Sequence, residues 1–232
     1  MKIFIYVASN KAKDSLSQLY VHKLKEQISL LHDDTVEFYI RSPFNSNIQE
    51  CIGCNNCFNK GQCNITDDMK DIKKEMLLSD CIIFVSPVYV HHVTGNMKIF
   101  IDRIGYWTHL MKLRGKFSMS VSVSSNNGNA FVNDYLDKVL MYLGTSNSKA
   151  LALQSISLTD QILQSYVDVS AYRLLSDYKN KVFKKNREQE SLFINLRNQY
   201  TEPEIKTVES EYWLSNNMLS YTSYEKLFYD NL

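Results

Sequence analysis

Residues 81–103, CIIFVSPVYVHHVTGNMKIFIDR, constrain the fold more than any other stretch of this chain. Residues 81–85 are continuously apolar and rich in β-branched and aromatic side chains, as in a strand buried on both faces. Ser86-Pro87 predicts the end of that strand, because proline brings no ladder donor and biases the preceding residue toward extended backbone. A loop, Val88-Tyr89-Val90-His91-His92, follows. From Thr94, as N-cap, the apolar positions move to Met97, Phe100, Ile101 and Ile104, the spacing of one helical face. In an open α/β sheet, ligands bind beyond the carboxyl ends of the strands, where helix N-termini present free N–H groups. The loop at 87–92 is therefore a candidate binding segment.

The rest of the chain alternates in the same way. Residues 2–8 (KIFIYVA) form a strand, and 14–31 form an amphipathic helix with Leu16, Leu19, Tyr20, Leu24, Ile28 and Leu31 on one side. A strand at 35–40, a loop at 51–63 and a helix at 67–78 lead into the central strand. A helix from 94 to about 110, a strand at 117–123 alternating with serines, a turn-rich stretch at 124–129, a helix at 130–143 and a fifth strand at 150–156 complete the pattern. Strands separated by helices predict an α/β fold with a parallel sheet covered on both faces, since each crossover carries a helix back over it. The 232 residues, 44% hydrophobic, suffice for one full core with an appendage. With 26 basic and 25 acidic residues the formal charge is +1, which argues against nucleic-acid or membrane-surface partners. No apolar run approaches the roughly 20 residues of a membrane helix, and no signal peptide is recognisable, so the expected location is cytoplasmic.

Three polar loops carry the binding chemistry. Ser9, Asn10, Lys11, Ser15 and Ser17 place hydroxyls, N–H groups and positive charge at a helix N-terminus, which suits a phosphate monoester. The loop lacks the glycines of the dinucleotide fingerprint and of the P-loop, so the phosphate of FMN fits it better than a pyrophosphate. The alternative is a solvated loop with Ser15 or Asp14 as an ordinary N-cap. The loop at 87–92 is the second, and the small polar residues at 124–129 are the third. Of the five cysteines, Cys51, Cys54, Cys57 and Cys63 have the spacing C-x2-C-x2-C-x5-C, which lets one loop wrap four thiolates around a [4Fe-4S] cluster. Free thiols and a zinc site are the alternatives. Cys81 belongs to the buried strand.

The segments CIGCNNCFNKGQCNITDDM, at 51–69, and 81–103 resemble the NADPH-dependent FMN reductase and iron-sulfur flavoprotein families. The resemblance covers roughly residues 1–157. It implies a flavodoxin-like, three-layer doubly wound domain at 1–157, with a five-stranded parallel sheet in the order 2-1-3-4-5. It also implies non-covalent FMN, reduction by a nicotinamide nucleotide, NAD(P)H, and a homo-oligomer, dimer or tetramer, with the flavin near the subunit interface. By position, Ser9, Lys11, Ser15, Leu16 and Ser17 would form the phosphate loop. Pro87, Val88, Tyr89 and Val90 would form the isoalloxazine loop, and Ser124, Ser125, Asn126 and Gly128 would complete the ring site. Cys51, Cys54, Cys57 and Cys63 match the cluster motif of iron-sulfur flavoproteins. The first loop departs from the family, which usually has a proline, an arginine and a glycine there. His91 and His92 either hydrogen-bond flavin or substrate or lie exposed in the loop, while Asp102 and Arg103 read as a helix-end ion pair.

The function implied is an FMN-dependent NAD(P)H oxidoreductase with an unidentified electron acceptor. Hydride transfer to flavin needs no acid–base pair, so no catalytic residue is assigned. The rivals are an electron carrier pairing FMN with a [4Fe-4S] cluster for a protein partner, and a cofactor-free interaction protein. Beyond the resemblance, residues 158–232 read as a helical, aromatic-rich C-terminal extension. Leu174, Leu175, Tyr178, Val182 and Phe183 lie on an apolar face, opposite a solvated run of Lys179, Lys181, Lys184, Lys185 and Arg187. The aromatic residues from Tyr200 to Tyr229 predict a segment docked on its own domain, on a second subunit, or over the flavin cleft.

Overall fold

The computed structural model describes residues 1–11, 15–202 and 206–232. The first elements are β1 (Lys2–Val7), α1 (Leu16–Leu31) and β2 (Glu37–Arg41). Ser15 caps α1, its Oγ accepting a hydrogen bond from the Gln18 N–H. The helix start expected at Asp14, with Ala12 and Lys13 before it, lies outside the described residues. Next come α2 (Asn56–Lys60), inside the cysteine-rich loop, α3 (Met69–Leu78), β3 (Cys81–Pro87), α4 (Gly95–Ile104) and α5 (Tyr106–His109). The sheet is completed through β4 (Phe117–Ser124), α6 (Asn129–Tyr142), β5 (Ser146–Asn147) and β6 (Leu151–Gln154). Among the described residues the α-helices that follow are α7 (Asp160–Lys179), α8 (Arg187–Thr201), α9 (Val208–Ser215) and α10 (Tyr224–Tyr229). No described helix is long and apolar enough to cross a membrane.

All strands are parallel, in the order β2-β1-β3-β4-β5, with β6 also on β4. This is the expected order with a sixth strand added. Ile3 lies beside Cys81 and Val7 beside Val85, so β1 ends at the carboxyl edge two residues before β3 does. Contrary to expectation, β3 runs on through Ser86 and Pro87, opposite Ser122 and Val123. Proline lacks only its own donor, and the Val88 N–H supplies the next bond to the Val123 carbonyl at 2.8 Å. The expected fifth strand is split: β5 pairs Ser146 with Phe117, and β6 pairs Leu151 with Val121, along one edge of β4. The helix expected from 94 to 110 is interrupted at Gly105.

Alternate side chains divide the core into two layers. Ile3, Ile5, Val7, Ile83, Val85 and Met119 face α1 and the C-terminal helices. Phe4, Tyr6, Ala8, Ile82 and Phe84 face α3, α4, α5 and α6. The aromatic C-terminal segment docks on its own domain: Trp213, Tyr224 and Phe228 are fully buried in the same cluster as Ile3 and Ile5. Gly144 accommodates this docking. Its φ is +97°, and a Cβ there would stand 2.8 Å from the Tyr224 hydroxyl and 2.9 Å from the Met111 carbonyl oxygen. In the basic run, Lys184 pairs with Asp177 at 2.8 Å and Lys185 with Glu225 at 3.0 Å.

Candidate functional site

The loops after β1, β3 and β4 meet at the carboxyl edge of the sheet, and two residues join them. Thr94, the N-cap of α4, donates from its hydroxyl to the Ala8 carbonyl at 2.9 Å and accepts from the Met97 N–H at 3.2 Å. Its own N–H donates to Ser86 Oγ at 3.3 Å. One buried threonine thus ties the ends of β1 and β3 to the start of α4. Gly128 joins the other two loops. At φ +82°, a Cβ there would stand 2.7 Å from Val88 Cγ1 and 3.3 Å from His91 Cα, so only glycine lets the backbones lie this close.

Each expected binding residue has a definite place. Ser9, Ser15 and Ser17 are buried, Leu16 is half-buried and Lys11 is exposed. Ser9 Oγ accepts from the Lys11 N–H at 3.2 Å. The Leu16 and Ser17 N–H groups precede the first intrahelical bond and find no acceptor among the described residues. At the second loop, Pro87 and Val88 are half-buried, whereas Tyr89 and Val90 are exposed. Tyr89 and His92 exchange backbone hydrogen bonds at 2.9 and 3.0 Å around a tight turn. Val90 and His91 occupy that turn at φ +50° and +60°, a conformation that costs a β-branched residue energy. His91 and His92 are exposed, their rings near Phe131 and Tyr135. In the third loop Ser124 is buried, Gly128 half-buried, and Ser125 and Asn126 exposed.

Two asparagines not singled out by sequence reasoning hold these loops. Asn129 is buried; its side-chain amide donates to the Ser122 and Leu153 carbonyls at 3.1 and 3.3 Å, and its Oδ1 accepts from the Ser124 hydroxyl at 2.6 Å. Asn96 donates from its side chain to Asn10 Oδ1, tying the first loop to α4. Nothing in a run of polar turn residues distinguishes the structural asparagine from its neighbours. The edge as built offers hydroxyls and free N–H groups at a helix N-terminus, which can hold a phosphate, beside two appressed loops that can flank a planar ring.

The cysteine loop lies against α4. Arg103 does not pair with Asp102, because adjacent helical residues point about 100° apart. Asp102 pairs with Lys98, and Arg103 forms a fully buried ion pair with Asp67. Arg103 also donates to the Gln49 carbonyl at 2.7 Å and approaches Cys63 Sγ at 3.6 Å. Burial alone would raise the Asp67 carboxyl; the Arg103 guanidinium and the Gln49 and Met69 N–H groups reverse this and hold it below its ordinary value. Cys51, Cys54, Cys57 and Cys63 are free thiols, the first two exposed and the others half-buried. Burial raises the Cys57 thiol, and raises that of fully buried Cys81 still further. Among the described residues, no three His, Cys, Asp or Glu side chains are gathered for a metal ion. The four thiols on one loop have the chemistry of a cluster ligand set.

Comparison with known proteins follows the same outline. An iron-sulfur flavoprotein of Archaeoglobus fulgidus is 40% identical over 98 residues, 42% of this chain and 44% of that protein. One of Methanocaldococcus jannaschii is 34% identical over 106 residues, 45% of this chain and 55% of that protein. The chain thus spans about half the length of the curated relatives it matches. Among solved structures, RosB with its bound intermediate 8-demethyl-8-formylriboflavin-5'-phosphate superposes with a TM-score of 0.63. The identity is 10%, over 89% of this chain and 90% of that one, a likeness of fold alone. The NADPH-dependent FMN reductase family matches residues 1–155, through β1 to β6 and the three loops at the carboxyl edge, and the chain belongs to that family.

Proposed function

We propose that this protein is an FMN-dependent NAD(P)H oxidoreductase. The observation that carries the reading is the joining of the three loops at the β1–β3 switch point by Thr94 and Gly128, beside the free N–H groups of α1. The residues present fit FMN. The hydroxyls of Ser9, Ser15 and Ser17, the N–H groups of Leu16 and Ser17, and the Lys11 ammonium would hold its phosphate. Pro87, Val88, Tyr89 and Val90 would border one side of the ring, and Ser124, Ser125, Asn126 and Gly128 the other. When bound, FMN supplies two-electron chemistry, accepting hydride from a nicotinamide nucleotide and passing electrons to an acceptor. The chain's own part is to fix the ring against rigid backbone and to neutralise the phosphate; no side chain has to move a proton. The exposed apolar residues Ile162, Tyr166 and Val169, on one line of α7, support assembly as a homo-oligomer.

A second reading, an electron carrier combining FMN with a [4Fe-4S] cluster, is favoured by the four free thiols on one loop and requires residues 51–63 to close around the cluster. One experiment tests both. Protein purified without oxygen is denatured, its released flavin and iron are quantified, and NAD(P)H oxidation is followed before denaturation. Flavin with NAD(P)H turnover and no iron supports the first reading. Flavin with about four irons per chain, as a cubane requires, supports the second. Absence of flavin, with no gain in thermal stability on adding FMN, overturns both.

A further inference from the structure

We propose that the cleft between α3, α5 and α9 is a binding site for a planar aromatic anion, separate from the cofactor edge. The cleft has a volume of about 720 Å³, and its walls include no residue of the loops at 9–17, 87–92 or 124–129. That volume lies within the range of small-molecule sites.

Charge is the first argument. Lys70, Lys73, Lys74, Arg103 and Lys112 line the cleft, with Asp67 as the sole carboxylate among the described lining residues. The whole chain carries a formal charge of only +1, so positive charge is concentrated here. Asp67 is already engaged by Arg103. Of the acids on or beside α3, Glu75 binds Arg41 and Asp68 accepts from the Asn47 N–H at 2.7 Å, and Asp71, Glu209 and Glu211 are not among the lining residues. Lys73 is half-buried, and neither its ammonium nor that of Lys112 has a hydrogen-bond or ion-pair partner among the described residues. Arg103 is buried with its Nε unpartnered.

The walls are the second argument. The Lys73 ammonium stands 5.7 Å from the Trp107 ring centroid, and that of Lys112 4.2 Å from the Tyr212 ring centroid. Each cation is thus held against an aromatic face with no counter-ion, an arrangement that a flat ring bearing a negative group complements in both shape and charge. A neutral ring would satisfy only the walls.

The test uses the full chain without reductant and follows tryptophan emission. The chain has two tryptophans; Trp107 lines the cleft, and fully buried Trp213 gives a constant background. The probes are 4-nitrobenzoate and its neutral counterpart 4-nitrobenzamide. Saturable quenching by the carboxylate, about tenfold tighter than by the amide, is expected. Lys73→Gln should weaken the carboxylate about tenfold and leave the amide unchanged, whereas Lys138→Gln, on a surface ion pair outside the cleft, should change neither. Thermal midpoints confirm that the variants are folded. Equal affinity for the two probes, unsaturable quenching, no effect of Lys73→Gln in a folded variant, or release of bound flavin by the probe would each overturn the proposal. It does not depend on FMN, since the probes report on the protein with or without flavin.

Discussion

Asp67→Asn is the most informative single substitution, because it leaves the Arg103 guanidinium charged and buried. The two side chains are 0% and 1% exposed, so water cannot compensate for the lost carboxylate. Breaking a buried pair from one side costs about 3–5 kcal/mol, whereas an exposed pair is worth at most about 1 kcal/mol. For a chain of this size each kcal/mol corresponds to about 2–4 °C, so a fall of roughly 6–20 °C in the melting midpoint is expected. Urea unfolding followed by circular dichroism gives the free energy directly. Adding Arg103→Leu to Asp67→Asn removes the orphaned charge and should recover about 2 kcal/mol or more, the signature of a coupled pair. Lys98→Ala, which breaks the exposed pair with Asp102 on the same helix, provides the control and should cost about 0.5 kcal/mol. A loss below about 1 kcal/mol for Asp67→Asn, or strict additivity of the double variant, would refute the reasoning.

Gly128→Ala should lower FMN affinity at least about tenfold, read from quenching of FMN fluorescence, because its methyl group forces the loops at 88–91 and 124–129 apart. Gly144→Ala should cost about 2 kcal/mol or more in urea unfolding, since both its backbone and its contact with Tyr224 forbid a side chain. Val90→Asn should raise stability by about 1 kcal/mol, because asparagine tolerates the left-handed backbone at this exposed position; unchanged or lower stability would show that the turn is not strained. The Asp67 carboxyl is held below its ordinary value of 3.8, so its contribution is complete above that value and is lost as the pH falls through the lower folded one. Wild-type stability should therefore drop below about pH 4 more steeply than that of Asp67→Asn.

Local patterns made the sheet legible. The apolar run at Cys81 and the strand–helix alternation up to residue 157 carry their periodicity in consecutive residues and imply a parallel sheet, while its strand order followed from the family resemblance. What escaped depends on distant partners. Pro87 reads as a strand end, yet the Val88 N–H reaching Val123 keeps the ladder going. Arg103 sits next to Asp102 in sequence, while its partner is Asp67, beyond a loop, a strand and a helix. The serines alternating along β4 give no hint that Ser118, Ser120 and Ser122 are wholly buried and bonded to Thr145, Asp137 and Asn129. At the carboxyl edge of the sheet, the polar loops were visible as composition, but the roles of Asn96 and Asn129 exist only once α4 and α6 are in place.

The burial of Tyr224, Leu227 and Phe228 with Ile3 and Ile5 also bears on how the protein folds. Phe228 packs edge-on against Phe117 of β4, their ring centroids 5.7 Å apart, so the docking joins residues more than a hundred positions apart, and closing so large a loop comes late and slowly. Until α7 to α10 arrive, one face of a parallel sheet stands incompletely covered. A refolding chain would therefore pass through a species that binds hydrophobic dyes and aggregates as concentration rises, and capture by a chaperone at that stage would favour the native yield.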